Sequence, residues 1–518
     1  MASTYGGRMQ SHFGKGCEVM ADLGQQRLAP WTLATAIALL AALAAPALAG
    51  YLYTRDDLGA FHLPVRAFYA ECLNRGEPFD WMPQLYCGFY LTGEGQAGSY
   101  HPLHLLWYRF LPLRLAMNVE LVASYPAMFV GMFLFLRRWL ARTDAAMFGS
   151  LLFTFSGFNL LHFVHPNAIA VVAHIPWLLW ADDVLLRHPS PRHATAATSA
   201  VSLLTGSQLL LGYPQYVWFS LLAEAAYTAF IVWNRGISTP ERLPGLSAGS
   251  MPRVGQLARR SEDPASVALL NRLARLVMAK LVGLLVGAVQ VLPTLDALAT
   301  SARRVPDARF VNWGSLHPMN LVQMVAPYLF VHRVVGQNTH ELAAYFGAVP
   351  LALVAWLLAN WRRLGPLRRP AGAVLAFGVF ALIMALGQYG YLYRLQRLLP
   401  LVGTFRFPCR YLVLVQLASA VLAAMSLSVL ITPHEPAARD KKCSRGLTAL
   451  SLVVGTSLTV ALAGLIAGDR PFVARPGAVC AGPLLIGSAA LLVALASQGV
   501  RQAAVGLVLL AAADLGYY

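Results

Sequence analysis

The feature that most constrains this chain is its recurring run of about twenty uninterrupted apolar residues. A hydrocarbon core of roughly 30 Å is crossed by a helix of about 20 apolar residues. In lipid every backbone N–H and C=O needs an internal partner, so such runs read as membrane-spanning helices. A β-barrel would alternate apolar and polar residues, and these runs are continuous. Of 518 residues, 57% are hydrophobic and 12% charged, about half the charged share of a soluble domain. That excludes an ordinary soluble enzyme and a disordered chain. Six Cys are too sparse for a disulfide-stapled secreted domain. The fold class expected is an all-α polytopic membrane protein of about 11–13 transmembrane helices.

Thirteen spans are predicted, at 31–53, 115–136, 145–162, 167–186, 194–211, 214–233, 273–295, 343–360, 371–387, 410–431, 446–467, 476–498 and 502–518. A net charge of +17 would suggest nucleic acid in a soluble protein. Here it is topogenic, because Lys and Arg accumulate in cytoplasmic loops, and no nucleic-acid partner is expected. Placing the N-terminus in the cytoplasm puts most Lys and Arg inside. The bias is clearest at Arg362, Arg363, Arg368 and Arg369, and at Arg439, Lys441, Lys442 and Arg445. Residues 1–30 then form a cytoplasmic tail, and 234–272, rich in Arg, Pro, Gly and Ser, a flexible cytoplasmic loop. The first span is too long for a secretory signal and is read as retained.

Polar residues gather in three extracytoplasmic stretches, 54–114, 296–342 and 388–410. Transporters place polar groups inside their spans. Few candidates stand within these spans: Glu120, Asn159, Gln208, Glu224 and Gln290. Chemistry concentrated in loops on a rigid scaffold points to a site on one membrane face.

The first loop opens with Asp56 and Asp57 directly after a span. They suit a general base or metal ligand, or else a helix cap and a solvated acid; desolvation at the interface would raise such a carboxyl. Phe61, Val65, Phe68, Tyr69, Cys72 and Leu73 then share a helical face, with Pro64 in the first turn and Arg66, Asn74 and Arg75 elsewhere. This predicts an interfacial helix or a soluble cap helix. A Gly-rich stretch follows, interleaved with Trp81, Tyr86, Tyr90 and Tyr100; it suits sugar stacking or an aromatic belt. Glu94, His101 and His104 suit metal or substrate, or structural hydrogen bonds. Cys72 and Cys87 lie on the oxidising side, paired or free.

The second loop carries Arg303, Arg304, Asp307, Arg309, His317, His332, Arg333, His340 and Glu341, and the third Arg406 and Arg410. The last two share a face if the helix starts early, with Pro408 marking its start. Two guanidiniums at a helix N-terminus make an anion site, or they snorkel to headgroups. They run against the positive-inside trend, so an anion, a lipid phosphate, is expected beside them. No CxxC, Walker or G-x-G-x-x-G motif stands in a suitable context, which disfavours an ATP-driven pump.

The order of motifs carries a resemblance. Asp57-Leu58 precedes Pro64, Gly76-Glu77-Pro78-Phe79-Asp80-Trp81, Gly88 and Tyr100-His101-Pro102-Leu103. Gly212-Tyr213-Pro214-Gln215 and Gln290-Val291-Leu292-Pro293 follow, the latter with Ser301 and Arg303. Glu341 with Tyr345 and Gly347, and Phe405-Arg406-Phe407-Pro408-Cys409-Arg410, complete the set. Over about 50–430 the chain resembles the YfhO-like family of bacterial membrane proteins, which is similar to GT-C glycosyltransferases. The resemblance implies a GT-C-like bundle in the bacterial inner membrane, with interfacial helices in a long, catalytic first extracytoplasmic loop. It implies sugar transfer from a polyprenyl-phosphate donor to an extracytoplasmic acceptor, whether cell-envelope glycan, lipid or protein.

Asp57, with Asp56, takes the catalytic position in that picture. Mg²⁺ or Mn²⁺ at Asp57 would suit the carboxylates. Arg303, Arg304, Arg406 and Arg410 meet the leaving phosphate, and Glu94, Tyr100, His101 and Glu341 are further substrate contacts. Family members often continue into a soluble domain, whereas this chain stops at Asp514-Leu515-Gly516-Tyr517-Tyr518, so a truncated or split protein is one expectation. The alternatives are a transporter or flippase for a lipid-linked or anionic substrate, and a non-catalytic envelope assembly protein.

Overall fold

The computed structural model describes residues 28–234, 264–432, 439–467 and 472–518. The predicted tail up to residue 27 and the cytoplasmic loop over 235–263 lie outside the described residues. The first half runs through α1 (Ala29–Leu48), α2 (Leu63–Arg75), α3 (Pro102–Phe110), α4 (Leu113–Arg137), α5 (Thr143–Thr154), α6 (Pro166–Arg187), α7 (Pro191–Leu211) and α8 (Pro214–Trp233). The second half continues with α9 (Pro264–Thr300), α10 (Ala348–Ala359), α11 (Arg368–Ala385), α12 (Leu412–Leu430), α13 (Arg439–Ala467), α14 (Pro476–Ser497) and α15 (Arg501–Tyr517). A proline in the first turn sets the start of α2, α3, α6, α7 and α8, where its missing N–H costs nothing.

Eleven helices among the described residues are long and apolar enough to cross a membrane. The chain is an all-α multi-pass membrane protein; the one described sheet is the two-stranded hairpin Trp81–Met82 with Phe89–Tyr90. Two of the thirteen predicted spans are not among these eleven. The segment predicted at 343–360 is helical only over Ala348–Ala359, 12 residues or about 18 Å, because Gly347 at φ 106° breaks the backbone. The last predicted span is α15, of 17 residues.

The centre of the bundle is α12. Nearly all its side chains are buried, against α5, α10 and α11. Lipid supplies no hydrophobic drive between helices, so small residues set close approach. At Gly149 of α5 an added Cβ would lie 2.7 Å from Ala424 of α12. Alternation of the helices delivers one set of connections to a common face: 49–112, 155–165, 212–213, 301–347 and 386–411. Direct contacts between these connections, described next, confirm that they meet.

Candidate functional site

Asp57 is placed by the exit from α1. Arg114 donates to Gly50 O at 2.7 Å and Asn118 to Tyr51 O at 3.1 Å, fixing the chain against α4. Asp56 adopts φ 58°, a left-handed conformation that Asp tolerates. At Gly59 a Cβ would stand 2.2 Å from Thr54 O, so the turn closes only with glycine. Asp57 then faces His165, with Nε2 3.1 Å from Oδ2, while about half of the Asp57 side chain stays exposed. The hydrogen bond from His165 outweighs burial and holds the Asp57 carboxyl below its ordinary value. This reverses the expected rise: desolvation is partial, and the imidazole favours the charged form. Asp56 is exposed.

Behind Asp57 lies a cluster of imidazoles. His162, His165 and His340 have ring centroids 5.2–5.9 Å apart. His162 Nε2 stands 3.5 Å from Glu341 Oε2. Glu341 accepts two hydrogen bonds from Arg410 Nε, at 3.0 and 2.9 Å, and a third from Nη2. Burial would push the Glu341 carboxyl up, but Arg410 and His162 prevail and hold it well below the ordinary value. Arg410 Nη1 donates to Gln215 Oε1 at 3.0 Å, and Gln215 Nε2 donates to Arg406 O at 2.7 Å. Polar contacts therefore run from Glu341 through Arg410 and Gln215 to the Arg406 backbone, and the imidazole cluster lies between Glu341 and Asp57. Phe407, at φ 59°, keeps an unfavourable backbone for a bulky residue within that grip.

Arg406 and Arg410 therefore do not share a helix face. Arg406 precedes the left-handed Phe407, and Arg410 sits in the 3₁₀ turn Pro408–Tyr411 that leads into α12. Glu341 and Arg410 are buried and occupied with each other. The available cations are Arg303 and Arg406, whose guanidiniums lie 5.8 and 5.5 Å from the Phe310 ring centroid. Arg303, Arg304 and Arg406 enter no ion pair among the described residues. Burial, then the charges of Arg303 and Arg410, depress the Arg406 pKa. Asp307 caps the short Ala308–Val311 helix that carries Phe310, accepting from Phe310 N at 2.6 Å.

The other expected residues are placed as follows. Glu94 accepts from Gln96 N and Nε2 at 2.7 and 2.8 Å, and burial lifts its carboxyl to about 7. Tyr100 Oη donates to Asp80 at 3.1 Å. His101 and His104 are buried; His101 Nε2 lies 2.9 Å from Ser207 Oγ, and His104 Nδ1 lies 2.9 Å from Gly98 O. These two imidazoles hold the loop to the bundle, and burial lowers them to about 3 and about 4. Tyr213 N donates to Gly95 O at 2.6 Å, joining the Glu94 turn to the α7–α8 junction. There Gly212 has φ +84°, and a Cβ would stand 2.3 Å from Gly95 O. Gly212→Ala is therefore expected to displace the loop and lower the thermal midpoint by several degrees, the scale of about 1–3 kcal/mol of backbone strain. Detergent-solubilised melting curves check this.

One buried pair escaped the sequence reading. Arg66, predicted on a polar face of α2, is buried and binds Glu120 of α4 and Ala97 O, with Tyr108 Oη also donating to Glu120. The signal was Glu120 itself, an acid inside a span that requires a cationic partner. Its partner is a loop residue rather than a neighbouring span. Glu224 does pair across spans, with Lys280 of α9. The remaining in-span amides donate to backbone carbonyls: Gln208 to Val171 O at 3.1 Å, Gln290 to Thr92 O at 2.7 Å and Asn159 to Phe153 O at 2.7 Å, while Asn159 Oδ1 and Gln290 Oε1 are buried without a protein partner.

Cys72 is buried and Cys87 exposed, and both are free thiols. The donors for a divalent ion do not come together as these side chains stand. Among the described residues no three His, Cys, Asp or Glu side chains are placed to share an ion, and Asp57 Oδ2 is turned to His165.

The fold is that of a multi-pass membrane protein, with the Asp57 carboxylate and the Arg303 and Arg406 guanidiniums in connections on a common face. No family model matches the chain, and no curated protein matches it. Among solved structures it is similar to ArnT from Cupriavidus metallidurans in the apo state, at 14% identity and TM-score 0.47, over 88% of this chain and 72% of that one. The same protein bound to undecaprenyl phosphate aligns at 14% identity and TM-score 0.40 over the same shares.

Proposed function

We propose that the chain is a GT-C-type glycosyltransferase of the YfhO-like kind, moving a sugar from a polyprenyl-phosphate donor to an acceptor on the loop face. The observation that supports this reading is the pairing, on one face, of a half-exposed ionised carboxylate at Asp57 with the unpaired guanidiniums of Arg303 and Arg406. A lipid donor keeps its tail among the spans and its phosphate at the interface, where a planar guanidinium binds phosphate oxygens well. In the reaction the acceptor hydroxyl forms a bond to the sugar's anomeric carbon, and its proton passes to Asp57. The bond from that carbon to the phosphate oxygen breaks, and the polyprenyl phosphate leaves with its charge met by Arg303 and Arg406. Arg304 is a further exposed cation beside them. Glu94 and Tyr100 lie in the same loop and are assigned to the sugar. Glu341, Arg410 and Gln215 hold Arg406 in place. No step is assigned to Mg²⁺ or Mn²⁺.

Transport would use polar groups within the spans, where Glu120 and Glu224 are taken up by Arg66 and Lys280. The proposal has a pH signature. Asp57 accepts a proton only when ionised, and its pKa is lowered. The acid limb of kcat/KM is therefore expected below the ordinary carboxylate value of about 3.9. His165→Phe removes the hydrogen bond, and the limb is expected to move up towards that value, so activity in mild acid falls. A limb that stays where it was in His165→Phe would separate His165 from the chemistry.

A further inference from the structure

The connection between α11 and α12 has its polarity turned inside out. Over residues 390–404 the buried side chains are Tyr393 and Gln396. Tyr393 Oη donates to Phe405 O at 2.9 Å, Gln396 Nε2 donates to Val402 O at 3.2 Å, and Tyr411 Oη donates to Gln396 Oε1. The exposed large apolar side chains there are Tyr391, Leu395, Leu398, Leu399 and Leu401, from 42% to 78% exposed. In water that arrangement would leave a contiguous apolar surface uncovered. The segment does not cross the membrane, because both its neighbours end on the loop face and its own helix, Tyr393–Gln396, has four residues. Tyr391 and Leu401 bound it with φ 55° and 63°, a backbone that bulky residues keep only where the surroundings impose it. The staples just named impose it.

Two arginines stand among the leucines. Arg394 lies 4.6 Å from the Tyr391 ring centroid, and Arg394 and Arg397 are exposed. Neither enters an ion pair among the described residues. No Asp or Glu occurs from Leu386 to Arg410. Outward leucines interleaved with unpaired arginines, at the level where two spans emerge, match the chemistry of the acyl–headgroup boundary. We propose that residues 390–404 lie in the leaflet on the loop face, with Leu395, Leu398 and Leu401 among the acyl chains and Arg394 and Arg397 on lipid phosphates. The segment leads directly into Arg406, so it sets the depth of the guanidinium pair relative to the headgroups. This holds whether or not the protein transfers sugar.

The test uses the full chain in proteoliposomes, with Cys17, Cys87, Cys443 and Cys480 replaced by Ser. A polarity-sensitive dye is attached through Leu398→Cys or, as an aqueous reference, Glu71→Cys. Dye at 398 is expected to be quenched several-fold more by acyl-brominated lipid than by iodide, and dye at 71 the reverse. Iodide quenching at 398 equal to that at 71 would overturn the placement. Spin-labelled phosphatidylglycerol is the second probe. Arg394→Gln with Arg397→Gln, both exposed positions, is expected to lower the motionally restricted fraction, and an unchanged fraction would overturn the phosphate contact. Titration with polyprenyl phosphate separates the two sources of that phosphate: displacement at a mole fraction well below that of phosphatidylglycerol marks the carrier lipid, and parity marks the bulk leaflet.

Discussion

Asp57→Asn is expected to lower sugar transfer by roughly 10²–10⁴-fold, the range for losing a general base, with the melting midpoint unchanged. The substitution keeps the shape of the side chain and removes its capacity to take a proton. Asp57 is about half exposed, so little folding free energy depends on its charge. Initial rates in proteoliposomes at matched protein content give the number. Asp56→Asn serves as the internal reference. Asp56 carries the turn through its backbone, where its carbonyl accepts from Gly59 N at 3.2 Å and Ala60 N at 3.1 Å, so its rate should stay near that of the unaltered chain. Equal losses in both variants would indicate a shared electrostatic effect and remove Asp57 as the base.

Arg410→Ala is expected to destabilise the fold by about 3–5 kcal/mol, because it leaves Glu341 buried and unpaired. Arg410 makes three hydrogen bonds to Glu341 and one to Gln215, and lysine cannot reproduce that fork, so Arg410→Lys should recover little. Cys409 reports the same event. It is a buried free thiol with Sγ 3.9 Å from Glu341 Oε2, and it should become reactive to maleimide in the variant. Replacing both partners, Glu341→Leu with Arg410→Met, removes the unpaired charge and is expected to restore much of the midpoint. Transfer should remain low in that double variant, because Gln215 loses its partner and the Arg406 turn loses its anchor. A double variant with full activity would show that the pair serves the fold alone.

The membrane architecture was legible because its signal is local: each span is a continuous apolar run. The first loop's helix was legible from periodicity and from Pro64. The shortening of the span at 343–360 was not, since the hydropathy of Ala343–Gly347 resembles that of a helix and only the Gly347 backbone reveals the break. At the site, Asp57, Arg303 and Arg406 stood out by residue type at membrane edges. His162 and His165 did not, because His162 ends one predicted span and His165 falls in the short gap before the next, at the α5–α6 connection. The reach of Gln215 to Arg406 O spans 191 positions in sequence, a pairing no local pattern encodes. Arg410 and Glu341 were noticed as separate charges. That they neutralise each other depends on α12 and the Thr339–Leu342 turn meeting, and this changes their assignment from contacts with substrate to support for Arg406.

The most direct measurement is transfer of radiolabelled sugar from a polyprenyl-phosphate donor in proteoliposomes, with the unaltered chain compared with Arg303→Gln and Arg406→Gln. Labelled acceptor product from the unaltered chain is the expected result, with KM for the donor raised in each arginine variant while each protein melts normally. Absence of covalent product across several donor sugars, with the protein folded and correctly inserted, would contradict the account.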